Sequence, residues 1–114
     1  MREAEAIIHE WVDGDTVEVL IHPWRNICVT ERVRVFGINC PEVHSKDAAE
    51  KAKGEAARQF AYGLARPFTV VKIKEQGQDK YGRFLASIEL DGGKDFAAEM
   101  IAAGHATAYD GGKK

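Results

Sequence analysis

The sequence predicts an α+β fold: five strands closed into a small Greek-key barrel, with two or three helices packed on it. Three observations carry that prediction. Short runs of β-branched and apolar residues recur along the chain, punctuated by Gly, Pro and Asp. One amphipathic helical stripe falls between the third and fourth runs, and a shorter one follows the fifth. The chain has 114 residues, enough for one domain with a single core and no covalent staples.

Each element has its own signal. Ala6 to Val12 mixes apolar and polar side chains and reads as the first strand. Asp13-Gly14 is a hairpin-turn dipeptide, and Thr16 to Ile21 alternates as a second strand. His22 to Asn26 connects it to a long β-rich run, Ile27 to Ile38, in which Arg32 and Arg34 alternate with Val33, Val35 and Phe36. Pro41 ends that run because it has no N–H to donate. Val43 to Lys53 is charged and reads as a loop at its start. A helix is expected over 54–65, where Ala56, Phe60 and Leu64 recur with Ala57 and Ala61 beside them; Asp47 or Glu50 offers an earlier cap. Arg66-Pro67 stops it.

Phe68 to Glu75 reads as the fourth strand, Gln76 to Gly82 as a polar turn, and Arg83 to Leu90 as the fifth strand. Asp95 caps a short helix, Phe96 to Ala103, with Phe96, Met100 and Ala103 facing in and Gly104 at its end. This order matches an OB-type barrel, a fold that often carries nucleic acid on one face. Residues 1–114 form one domain, with its core over 5–109 and a Gly-rich tail, 110–114, expected to be flexible.

Composition narrows the function by exclusion. Apolar content of 45% and charged content of 30% are ordinary for a globular chain. Sixteen basic against eighteen acidic side chains give −2, so bulk charge does not hold nucleic acid here. A local patch has to do so, and 66–83 supplies one: Arg66, Lys72, Lys74, Lys80 and Arg83 against Glu75 and Asp79. Cys28 and Cys40 read as free thiols, and His9, His22, His44 and His105 show neither triad nor metal spacing. Trp11 and Trp24 read as core or rim residues. No run approaches the ~18 apolar residues of a membrane span. The N-terminus lacks a signal peptide's apolar segment, so the chain as it stands reads as cytoplasmic; a secreted protein whose signal had been removed would read the same. A monomer is expected.

The chemistry concentrates around Arg34 to Glu42. A guanidinium and a carboxylate framing a short buried strand are costly as core residues, and make sense as an anion clamp beside a metal or base site. Two further clusters complete the set: Asp13-Gly-Asp15-Thr16 and Asp79-Lys-Tyr-Gly-Arg83.

These three motifs, in this order and on this strand plan, resemble the thermonuclease or staphylococcal-nuclease-like family over most of the chain. A lone Asp-Gly-Asp-Thr would be weak; the three together are specific. The resemblance implies an OB barrel, often with a third helix after the position of Tyr109, and a Ca²⁺-dependent endonuclease hydrolysing DNA and RNA. By the same resemblance, Asp15, Asn39 and the backbone carbonyl of Cys40 hold the metal. Glu42 is the general base for attack of water on phosphorus. Arg34 and Arg83 grip the phosphate, each able to hold two oxygens at once. Lys80, Tyr81 and Tyr109 line the nucleotide pocket, with rings able to stack on bases. Asp13 is expected to serve its turn or a metal-side water. One position departs from the pattern: Asn39 stands where the family most often has an aspartate, and an amide oxygen brings no charge to a cation. That departure keeps open an alternative, a catalytically impaired module that binds nucleic acid.

Overall fold

The strand patterning closes into a barrel. The computed structural model describes residues 3–109. Its elements are β1 (Glu3–Asp13), β2 (Thr16–Trp24), β3 (Ile27–Val35), β4 (Ile38–Asn39), α1 (Ala48–Leu64), β5 (Val70–Gln78), β6 (Phe84–Glu89), α2 (Phe96–Ala102) and β7 (Thr107–Ala108). The closed sheet runs β1-β2-β3-β6-β5, antiparallel except where β3 meets β6. β4 and β7 pair as a separate two-stranded sheet. The five barrel strands and two covering helices bear out the predicted α+β barrel. The tail at 110–114 lies outside the described residues.

Alternation decides what faces inward. Ile8, Trp11, Val17, Val19, Val33, Val35, Ile73 and Ile88 are buried. Phe96 and Met100 come down on them from α2. The Trp11 ring stacks on Phe96 with centroids 4.7 Å apart, and its Nε1–H donates to the Ala65 carbonyl at 2.8 Å, so the end of α1 is tied to β1. No helix among the described residues is long and apolar enough to cross a membrane.

Several boundaries differ from the sequence expectation, each for a local reason. The run 27–38 is two strands, because Gly37 at φ 91° turns the chain before Ile38 is buried. The hairpin loop is Gly14-Asp15, with Asp13 still in register opposite Thr16. Gly14 is tightly packed: a Cβ there would stand 3.1 Å from Ala57 Cβ, Cys40 Sγ and Met100 Cε, so these side chains would have to give by a few tenths of an ångström. α1 starts at Ala48, with Asp47 as N-cap residue, so its first turns are those read as a charged loop. Its buried face is Gly54, Ala57 and Ala61, whereas Ala56 is exposed. Phe68 belongs to no strand; it sits at φ 71° and is 78% exposed. On α2, Ala103 is exposed, while Asp95 caps as expected by accepting from the Ala98 N–H.

Candidate active site

Register brings Asp15 to Arg34. Thr16 pairs with Arg34 across β2 and β3, so Asp15, one residue earlier, lies beside the guanidinium. The Val35 N–H donates to the Asp15 carbonyl at 2.8 Å, fixing the backbones. The side chains then meet, with Arg34 Nη1 3.4 Å from Asp15 Oδ2 and both about one-twelfth exposed at 8%. After the turn at Gly37 the chain folds back, and the Cys40 N–H donates to the same Oδ2 at 2.8 Å. The Thr16 hydroxyl donates to Oδ1 at 3.1 Å. Burial nevertheless pushes the Asp15 carboxyl above its usual range; the Arg34 charge and these hydrogen bonds offset that only in part.

Arg34 is held on several sides. Nη1 donates to the Ile38 carbonyl at 3.0 Å and the Val35 carbonyl at 3.3 Å, and Nη2 donates to Asn39 Oδ1 at 3.3 Å. The β4–β7 pairing places Tyr109, whose N–H donates to the Gly37 carbonyl at 2.9 Å. The Tyr109 ring centroid is then 5.9 Å from the guanidinium carbon. Asp15, Arg34, Asn39, Cys40 and Tyr109 thus form one connected group.

The third motif is a self-contained turn. Asp79, buried at 5%, accepts the Tyr81 and Arg83 backbone N–H groups at 2.8 Å each and pairs with the Arg83 Nε. Burial pushes its carboxyl up, but the hydrogen bonds from Arg83 and Tyr81 and the Arg83 charge together outweigh that and its pKa is lowered. The Tyr81 ring lies exposed near two cations, 5.4 Å from Lys80 Nζ and 5.5 Å from the Arg83 guanidinium. Arg83 and Arg34 line the same cavity of about 490 Å³, whose walls also include Asp13, Thr16 and Arg32.

Glu42 is exposed, and the structure ties it to the rest through its backbone: the neighbouring Val43 N–H donates to Asp13 Oδ1 at 2.9 Å. Asp13 therefore reaches a loop thirty residues away, which its reading as a turn residue missed. The 66–83 patch is also divided. Lys72 and Lys74 stand opposite Glu5 and Glu3 and line a different cavity, leaving Arg83 at the cleft. His9, read as spaced for nothing, has a ligand atom within 4.8 Å of ligand atoms of Glu10 and Glu18. The β1–β2 register shifts between Ile8 and Glu10, and Arg32 already holds Glu18 at 2.8 Å.

A donor set of carboxylate, amide and carbonyl oxygens suits a hard cation. Asp15 adds the chemistry for one, being a buried acid whose charge the protein leaves undercompensated. Asn39 offers an oxygen without charge, and Cys40 fits only through its carbonyl, because burial pushes its thiol up to about 12.

The fold and cleft define a class: a small OB-like barrel with the guanidinium groups of Arg32, Arg34 and Arg83 on one cleft. The comparisons name the family. The profile described as "Staphylococcal nuclease homologue" matches residues 32–114, and the chain belongs to that family. It is also 28% identical to "Endonuclease YhcR" of Bacillus subtilis (strain 168), over 94% of this chain but 9% of that much longer protein.

Proposed function

We propose that the chain is a Ca²⁺-dependent endonuclease acting on the phosphodiester bonds of DNA and RNA. The carrying observation is that Arg34 on β3 and Arg83 in the turn before β6, from separate motifs, line one cleft, with the buried Asp15 paired to Arg34. Family membership and the endonuclease relative support the same reading.

Arg34 and Arg83 hold non-bridging phosphate oxygens and stabilise the charge that grows on them during attack. Arg34 is already oriented by its carbonyl and Asp15 contacts, so little ordering is needed when phosphate arrives. Glu42 accepts the proton of the attacking water, which displaces the leaving oxygen in line. Arg83, with its Nε paired to Asp79 and 51% of its side chain exposed, meets that leaving oxygen through its terminal nitrogens. Lys80, Tyr81 and Tyr109 supply charge and stacking surface for the nucleotides on either side. Asp15, the Asn39 side-chain oxygen and the Cys40 carbonyl would hold Ca²⁺, which supplies positive charge against the phosphate.

Plasmid nicking tests this. Activity is expected with millimolar Ca²⁺ and not with chelator, and Glu42→Gln is expected to lower turnover ~10²-fold or more. Equal nicking in Ca²⁺ and chelator, or a near-normal Glu42→Gln rate, would remove the metal or the base respectively. The second reading, a module that binds without cleaving, is favoured by Asn39, whose oxygen Arg34 already occupies at 3.3 Å. It predicts nucleotide binding that is indifferent to Ca²⁺.

A further inference from the structure

We propose that Asp13 and Gly54 are positioning residues for Glu42, together clamping the peptide that joins Glu42 to Val43. The inference rests on Glu42 acting as the base. A carboxylate on an exposed loop has no fixed direction of its own. Its side chain is in solvent, and what places it is the backbone that carries it.

That backbone is held on two sides. On one, Asp13 Oδ1 accepts the Val43 N–H at 2.9 Å. Asp13 is the last residue of β1, two residues before Asp15, so the bond ties the loop to the strand end beside the cleft. On the other, the peptide lies against the bare Cα of Gly54 in α1. A Cβ at Gly54 would stand 2.6 Å from the Glu42 carbonyl carbon, 2.6 Å from its oxygen and 2.7 Å from the Val43 nitrogen. All three atoms are backbone, so no side-chain rotation relieves the clash. Gly54 is an unfavourable residue for a helix interior, and Ala would be the better helix former. The close approach is the physical reason for glycine there. The loop also turns locally, with the Ser45 N–H 3.4 Å from the Glu42 carbonyl. Strand, loop and helix thereby share one peptide, and the base inherits its position from them.

The test is a double-mutant cycle on kcat, with KM and the unfolding midpoint followed in parallel. Asp13→Ala and Gly54→Ala are each expected to lower kcat about 10- to 100-fold, the size of effect that a displaced group gives. KM should hold, because Arg34 and Arg83 are untouched. Asp13→Asn keeps an oxygen acceptor and is expected to restore kcat to within about threefold of wild type. In a Glu42→Gln background, Asp13→Ala and Gly54→Ala should cost less than about threefold more, since there is no base left to misplace. An undiminished loss in that background overturns the proposal. So does an Asp13→Asn variant as slow as Asp13→Ala, which would mean that the charge of Asp13 matters rather than its bond. If Asp13→Ala fails to fold, Gly54→Ala carries the cycle. Wild-type turnover in Glu42→Gln would defeat the reading of the base itself; a slow Glu42→Gln beside normal Asp13→Ala and Gly54→Ala would defeat the clamp alone.

Discussion

The cleft has two walls, and each carries an acid with its arginine. On the β2–β3 wall, Asp15 and Arg34 are both buried, and the arginine is the fixed member, bonded to two carbonyls, an amide and the acid. On the β5–β6 turn the roles reverse. Asp79 is fixed by two backbone N–H groups, while half of the Arg83 side chain is in solvent. The acids respond in opposite directions. Burial raises Asp15 more than its partners lower it, while at Asp79 the bonds from Arg83 and Tyr81, with the Arg83 charge, together outweigh burial. One wall therefore keeps undercompensated negative charge beside the cleft, where a cation would be drawn. The other uses its negative charge to shape a turn, and presents the positive end outward.

The largest expected effect separates the two arginines. Arg34→Ala leaves a buried carboxylate without its partner and should cost about 3–5 kcal/mol of stability, read by urea unfolding. Activity should fall ~10²–10³-fold as well. Arg83→Ala should lose ~10²-fold in activity with a smaller stability loss than Arg34→Ala, because half of that side chain is solvated and the two backbone N–H bonds still hold the buried Asp79. Equal stability losses would mean that the walls do not differ as described. Arg34→Lys sharpens the point: it keeps the charge but not the planar fork, and should recover little activity.

A smaller effect is expected at Asn39. Asn39→Asp adds a formal charge next to Asp15 and should tighten Ca²⁺ roughly tenfold, measured by calorimetry. Unchanged affinity would take Asn39 out of the metal site. It would also leave the family pattern, rather than the chemistry of this cleft, as the ground for placing it there.

Acid titration probes the outer wall. A carboxyl with a depressed pKa contributes stability that is complete above the ordinary carboxylate value and disappears as pH falls through the lowered one. Asp79 belongs to this class. Asp79→Asn should thus flatten the acid limb of the stability curve, and it should loosen the turn that carries Arg83. An unchanged acid limb would mean that the turn does not depend on that charge.

The same contrast explains what could be read from sequence. The barrel was legible because alternation in Thr16 to Ile21 and in the β3 run marks a face that must be buried. The start of α1 was not, because Ala48 to Lys53 are all exposed and a solvated helix turn leaves no apolar period. Nor does a run of alanines say which one points inward: the expected stripe holds Ala57 and Ala61, which are buried, but also Ala56, which is exposed, and leaves out the buried Gly54. At the site, the motifs placed Asp15 and Arg34 in adjacent segments, and strand register supplied their contact. The Asp13–Val43 bond and the β4–β7 pairing join segments far apart in the chain, and no local signal announces either. The Asp79 turn did carry one: an Asp followed by glycine and arginine, able to accept its own downstream N–H groups.

The smallest predicted effect asks only whether the inner wall is closed. Cys40 lies behind Asp15, 5% exposed, and its thiol is pushed up to about 12, first by burial and then by the nearby Asp15 charge. Cys28 is exposed on β3. A thiol must ionise and be reached before it reacts. At neutral pH a disulfide reagent should therefore modify one thiol in the folded protein and two after unfolding, without loss of fold or nicking activity at the first. Two thiols reacting at one rate in the folded protein would show that the wall opens freely. Arg34 would then not be held ready for phosphate, and the difference between the two walls would shrink to one of average position.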